Sequence, residues 1–339
     1  MRPSLPATAR KPGAPRPKPF GRTRRLGLAA AAAGAAATTL ASPLAARAQD
    51  LTPRAYVITP VRSNAVNLSY IFNDGELLFE GTVPIVEATG RLSIPSLSLY
   101  RSLSLFGRSA NVSATLPYGV GTFKGTVFDQ EIVAERSGLG DSVFRLSVNL
   151  AGAPAMKLSE IRGWRQRQLL GASLKLVAPT GQYDPTKLIN LGGNRWGFKP
   201  ELGYSLRFGG HWIVDAYAAA WLFTENPEFF SRNQYVPGTQ SQTQDPIYAF
   251  ETHLSYDVRP RFWVSLDGNF WYGGHTSLNG VENPATLQKA SRVGITASFP
   301  ITRRQAIKLG LADGAYVRFG GDYTIVSVSW QYSWLSRPD

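Results

Sequence analysis

Between Trp196 and Phe208 the chain reads WGFKPELGYSLRF. Trp196, Phe198, Pro200, Leu202, Tyr204, Leu206 and Phe208 share one parity, and Gly197, Lys199, Glu201, Gly203, Ser205 and Arg207 share the other. A period of two over that length is an extended strand, because successive side chains of a strand point to opposite faces. The strand is longer than the ~5–6 residues usual in a soluble sheet. One face is wholly apolar with aromatics at its ends, and the other carries charge.

The same alternation recurs in four more segments: Leu170–Ala178, Trp212–Leu222, Tyr248–Val258 and Phe262–Tyr272. None of the apolar-parity positions in the five segments is charged, while the opposite parity carries Lys175, Lys199, Glu201, Arg207, Asp215, Glu251, Asp257 and Asp267. Noisier alternation surrounds them. It covers Val66–Phe72, Val112–Tyr118, Phe144–Leu150, Val293–Phe299, Ile307–Leu311 and Val326–Trp334, and Leu97–Leu105, where Arg101 interrupts the apolar parity. This amounts to about twelve strands. A soluble sandwich would put the charged face outward and use shorter strands. An apolar outer band, terminal aromatics and a polar interior describe an all-β, antiparallel up-and-down barrel closed in lipid. Closure is required because an open edge would leave backbone groups unpaired in hydrocarbon.

The connections fit that reading. GG at 209–210, RP at 259–260 and ITRRQ at 301–305 are short, as is GRS near 107. Long polar connections cover about 180–195, 224–244 and 273–287. Short periplasmic turns and long outer loops are the outer-membrane pattern. The connection 151–166 departs from it: it falls where a periplasmic turn belongs, yet it is long enough for a short helix.

The N-terminus explains the charge. Residues 1–48 hold nine Lys/Arg and no Asp or Glu, then an alanine-rich apolar run and Ala46-Arg47-Ala48 before Gln49. Basic, apolar and small-x-small segments in that order form an export signal, cleaved near Ala48/Gln49. The whole chain has 36 Lys/Arg and 23 Asp/Glu, a net charge of +13. Without the leader, 27 basic residues face 23 acidic ones, a net charge of +4. The basicity therefore belongs to the leader and does not mark a nucleic-acid binder. Cysteine is absent, which removes thiol catalysis, disulfides and a lipid-anchoring Cys. Two domains are expected: a leader at 1–48 and a barrel at 49–339, in the bacterial outer membrane.

The sequence also supplies candidates for a lumen. The inward parity adds Arg292 and Lys308 to the charges above, and places His253 beside Glu251 and Ser255. These charges read either as an internal ion-pair network that fills a narrow barrel or as a mixed-charge constriction. Tyr217, Trp221, Trp263 and Trp271 also fall inward. They read either as stacking surfaces for a solute or as an interface girdle in shifted register. The girdle is favoured, because Trp221 and Trp271 lie near strand ends. In the first long loop, Asp184 and Asn194 read either as residues that fold the loop inward or bind a cation, or as turn formers, and turn chemistry is favoured. A hydrolase reading is thin. His211 and His275 fall in connections, no helix carries a metal-binding His pair, and Gly119–Gly125 precedes no helix that could hold a phosphate.

From Gly138 to Gly203 the chain carries GLGD and APTGQYDPTKLINLGGNRWGFKPELG, followed by TENPEFF, QDPIYAFETHLSYDV, FWVSLDGNFWYGG and a closing SWQYSW. These segments resemble the MetA-pathway of phenol degradation family. The resemblance covers most of the chain after the leader, strongest from 138 to 334. It implies an outer-membrane barrel with a transport-like role, outer-membrane lipid as its surroundings, a small-molecule solute and no cofactor. The expected function is a channel or transporter for small molecules, aromatic or otherwise hydrophobic ones included. The alternative is a structural or adhesin-like barrel with a filled lumen.

Overall fold

The computed structural model describes residues 51–78, 85–127, 130–234 and 236–336. The expected leader, 1–48, lies outside them. Twelve antiparallel strands form a closed barrel: β1 (Ser63–Leu78), β2 (Ile85–Leu105), β3 (Arg108–Val127), β4 (Gln130–Leu139, continued by Ser142–Ala151), β5 (Gln168–Ala178), β6 (Gly197–Phe208), β7 (Trp212–Phe223), β8 (Ile247–Arg259), β9 (Phe262–Gly273), β10 (Gln288–Pro300), β11 (Gln305–Val317) and β12 (Gly320–Leu335). Each strand pairs with the next, and β1 pairs with β12 from Ser63↔Leu335 to Leu78↔Gly320, which removes the last edge. The two pieces of β4 lie in line along β3, with the register slipping by one residue at Gly140–Asp141 between Tyr118↔Leu139 and Thr115↔Val143.

The outer surface inverts the rule for a soluble protein. Leu68, Leu99, Leu202, Phe250, Leu266, Ile295 and Val326 are exposed, while Lys199, Glu201, Glu251, Asp267 and Arg292 are buried. In water this would be costly on both counts. In a bilayer the aliphatic band meets hydrocarbon and the charges face the interior. Arg101, which breaks the apolar parity of β2, pairs with Asn64 near the start of β1, at the periplasmic rim. No helix among the described residues is long and apolar enough to cross a membrane; the chain crosses with strands.

Strand β2 spans 21 residues and β3 spans 20, against the ~9–11 that cross a bilayer. The β1–β4 side therefore stands taller than the rest. The alternation of the sequence stops short here, because the inner face turns apolar above the membrane. Leu77, Leu92, Ile94, Phe123 and Tyr323 pack together with Ile189 from a loop. An apolar residue on both parities erases the period-two signal.

The connection 151–166 contains the helix α1 (Leu158–Ile161). It does not hang free. Ala153 and Met156 pack with Ile58 and Leu169, beside Ile161 and Trp164, and close one side of the periplasmic end. At the opposite end, short strands at Gln242–Gln244, Thr276–Leu278 and Val281–Asn283 form a small sheet. Phe229 and Phe230 pack beneath it with Leu188, Val236 and Leu278.

Candidate functional site

The lumen is built around residues 51–62, which precede β1: Thr52–Tyr56 lie inside the barrel against the wall from β4 to β9, and Thr59–Arg62 meet β2 and the 151–166 connection. The backbone N–H of Arg54 donates to Asp215 Oδ2 at 3.2 Å, and its guanidinium meets Asp257 Oδ1 at 2.6 Å. Arg207 holds the other Asp257 oxygen at 2.7 Å. The Arg54 guanidinium also lies 4.6 Å from the centroid of Trp263. Next along the segment, the Ala55 N–H donates to the Tyr217 hydroxyl at 3.1 Å. The Tyr56 hydroxyl donates to Glu201 Oε1 at 2.9 Å, and its ring meets Tyr217 edge to face.

The seat for Tyr56 is made of glycine. Gly171 on β5 and Gly203 on β6 are cross-strand partners on the inward face. A Cβ at either would lie 2.2 Å from the Tyr56 ring. Any side chain there would expel the ring. Gly294 plays a similar part further round, where a Cβ would meet Leu51 at 2.9 Å.

Around this segment the expected charges form one network. Lys199 Nζ lies 3.1 Å from Glu201 Oε2 and 2.9 Å from Glu251 Oε1, and Arg145 reaches Glu201 Oε1 at 3.4 Å. Thr52 donates to Glu251 at 3.5 Å. His253 Nδ1 is 2.8 Å from Asp267 Oδ1, and Ser265 and Thr296 donate to Asp267 at 2.6 Å each. Low dielectric makes each lost partner expensive, and each carboxylate is correspondingly well supplied. Lys175 is half-buried, 5.7 Å from the Trp221 ring centroid. Arg292 is buried 5.9 Å from that of Trp271. Lys308 stands apart on β11, on the far side of the lumen.

Trp221 and Trp271 correct the girdle reading. Both are buried inside the barrel, packed with Val177, Ile247, Ala249 and Ala290 in an apolar collar near the outer end. Their parity was inward in fact, with no shift of register: Trp221 pairs with Ile247, and Trp271 with Ala249 and Ala290. Above the collar, Asp184 Oδ1 accepts from the backbone and hydroxyl of Thr186, closing its own turn. Asn194 donates to Asn226 at 2.9 Å, tying two loops together. Arg195 is buried in the same loop, and desolvation lowers its guanidinium to about 10. It stays cationic at neutral pH.

His253 is not paired with a serine hydroxyl among the described residues. Its Nε2 lies 3.6 Å from Glu251 Oε2, and the Ser255 hydroxyl donates to Ser265 instead. All of these groups are buried in the lumen, away from the lipid-facing surface.

The wall opposite the network is different. Ser69, Asn73, Thr296, Gly310, Ser327 and Ser329 face the interior there, and a cavity of about 290 Å³ separates them from Leu51 and Thr52. Small side chains leave the space open. The ladder between β11 and β12 stops at Ala312↔Ile325, so the outer ends of these two strands are not paired with each other.

Sequence reasoning found the wall charges but not Arg54, Tyr56 or Arg145, which complete the network. The facing pair Gly171/Gly203 on an otherwise charged parity was the available signal for an occupant.

A closed twelve-stranded barrel with an apolar outer band and a polar interior is the fold of an outer-membrane β-barrel. The chain belongs to the family described as the MetA-pathway of phenol degradation, which it matches over residues 61–328. Among solved structures it is similar to an outer-membrane channel from Pseudomonas putida F1, with a TM-score of 0.69 and 18% identity, over 84% of this chain and 100% of that one. It also matches the transport unit of the autotransporter AIDA-I from Escherichia coli, with a TM-score of 0.49 and 10% identity, over 90% of this chain and 99% of that one. Comparison with curated proteins gives no match. The family and the barrel place the protein in the bacterial outer membrane.

Proposed function

We propose that the protein is an outer-membrane channel for small molecules, aromatic or otherwise hydrophobic ones included, and that they pass between residues 51–62 and the wall formed by β1 and β10–β12. The observation that carries this reading is the 290 Å³ cavity between Leu51–Thr52 and the small side chains of the wall. It is at the small end of the ~300–1,000 Å³ typical of small-molecule sites. Aliphatic residues on its lining, among them Ile71, Ile94 and Ile325, suit an apolar solute better than a hydrated ion. The apolar cluster above, with Leu92 and Phe123, continues that character outward.

A second reading rests on the collar of Trp221 and Trp271 and on the inserted segment. Together they support a structural or adhesin-like barrel with a filled lumen. Single-channel conductance separates the two. The folded protein in a planar bilayer is expected to give discrete steps that added phenol reduces. A heat-shifted band on a gel shows that the barrel is folded, and a folded barrel with no conductance and no solute flux in liposomes sinks the channel reading.

A further inference from the structure

The 290 Å³ cavity has one charged residue in its lining, Lys308. Leu51, Ile71, Ile94 and Ile325 supply aliphatic surface, and Ser327 and Ser329 supply hydroxyls. The Lys308 side chain is accessible from this space. Among the described residues its ammonium group makes no hydrogen bond or ion pair. This sets it apart from Lys199, which is clasped between Glu201 and Glu251. Asp267, the carboxylate that acts on Lys308 electrostatically, already accepts from His253, Ser265 and Thr296. It does not neutralise the ammonium group by contact.

An ammonium beside an aliphatic wall, with no carboxylate in contact, is complementary to an anion with an apolar body. The charge-assisted contact fixes the head, and the wall receives the rest. The size agrees, since an apolar cavity of ~150 Å³ already holds a benzene molecule, and about twice that leaves room for a carboxylate. We propose that this cavity is a binding site for small monocyclic aromatic carboxylates, with Lys308 as the head-group residue. The proposal rests on the channel reading for its place on a transport path, but binding itself does not require conduction.

The test uses the protein purified from outer membranes in detergent, with folding checked by heat-shifted migration. Benzoate and its neutral counterpart benzyl alcohol are titrated by calorimetry into wild-type, Lys308→Met and Lys308→Arg protein. Benzoate should bind wild type more tightly than benzyl alcohol. Lys308→Met should weaken benzoate by about tenfold or more, the usual scale for a lost charged hydrogen bond, and leave benzyl alcohol unchanged. Lys308→Arg should retain most benzoate binding. Absent benzoate binding, or equal loss of both ligands in Lys308→Met, overturns the proposal. Conductance of the same preparations keeps the two ideas separate. Benzoate binding without conductance supports the site and sinks the channel; conductance without benzoate binding does the reverse.

Discussion

From β5 to β9 the inward residues include Lys175, Lys199, Glu201, Arg207, Asp215, Tyr217, Glu251, His253, Asp257 and Asp267; from β10 round to β2, apart from Arg292 and Lys308, they include the smaller Thr296, Gly310, Ser327, Ser329, Ser69 and Ser98. Both halves of the wall carry the same aliphatic band outside, so lipid does not distinguish them. The interior does. The charged half binds residues 51–62 through Arg54 and Tyr56. The half with small side chains meets the same segment at two places, through Leu51 at Gly294 and through Thr59 and Arg62 at Tyr100 and Ser102 of β2, and the cavity lies between them and the β10–β12 wall. Charge alone does not mark the proposed path in this barrel: the densest cluster of inward charges holds the N-terminal segment, and the cavity lies where side chains are small.

The comparison can be broken by substitutions in each half. The largest effect belongs to Lys199→Met. It leaves Glu201 and Glu251 buried without their shared cation, and breaking a buried ion pair in this way costs about 3–5 kcal/mol. Urea unfolding followed by gel migration should show that loss, with Ser327→Phe serving as a control from the other half. Next comes Gly171→Leu, which fills the seat of the Tyr56 ring. Overpacking costs roughly 1–3 kcal/mol, the N-terminal segment is displaced, and conductance rises while the barrel still folds. Unchanged conductance would mean that residues 51–62 do not limit the pore. Ser327→Phe acts in the opposite sense, narrowing the open half, so conductance falls with stability changed by no more than about 1 kcal/mol. The smallest effect is Ser69→Ala. It removes one hydroxyl pair, Ser69 to Ser329 at 2.9 Å, for a loss of about 1 kcal/mol and no change in conductance.

Much of this was legible in the sequence, though unevenly. The strands β5–β9 could be read because one face meets lipid and the other meets water or counter-charges, which forces strict alternation from Leu170 to Tyr272. The outer parts of β2 and β3 could not, because Leu92 and Phe123 face inward onto loop residues and both faces look apolar. The inward charges were visible by parity. Their division of labour was not, because it depends on where Arg54 and Tyr56 insert, and residues 51–62 carry no periodicity. Trp221 and Trp271 were on the inward parity all along. The expectation of a girdle went wrong because the outer end of this lumen is apolar, packed under loops that the strand pattern does not describe.

The central claim is that one half of the wall is covered by the N-terminal segment and the other is open. The chain contains no cysteine, so single cysteines can be introduced without background and probed with a charged thiol reagent during single-channel recording. Ser327→Cys lies in the open half and Ser255→Cys in the buried network. The account predicts that reagent blocks current through the Ser327→Cys protein and leaves Ser255→Cys untouched until Gly171→Leu is added. Rapid modification of Ser255→Cys in the otherwise unaltered barrel, with Ser327→Cys inert, would contradict it.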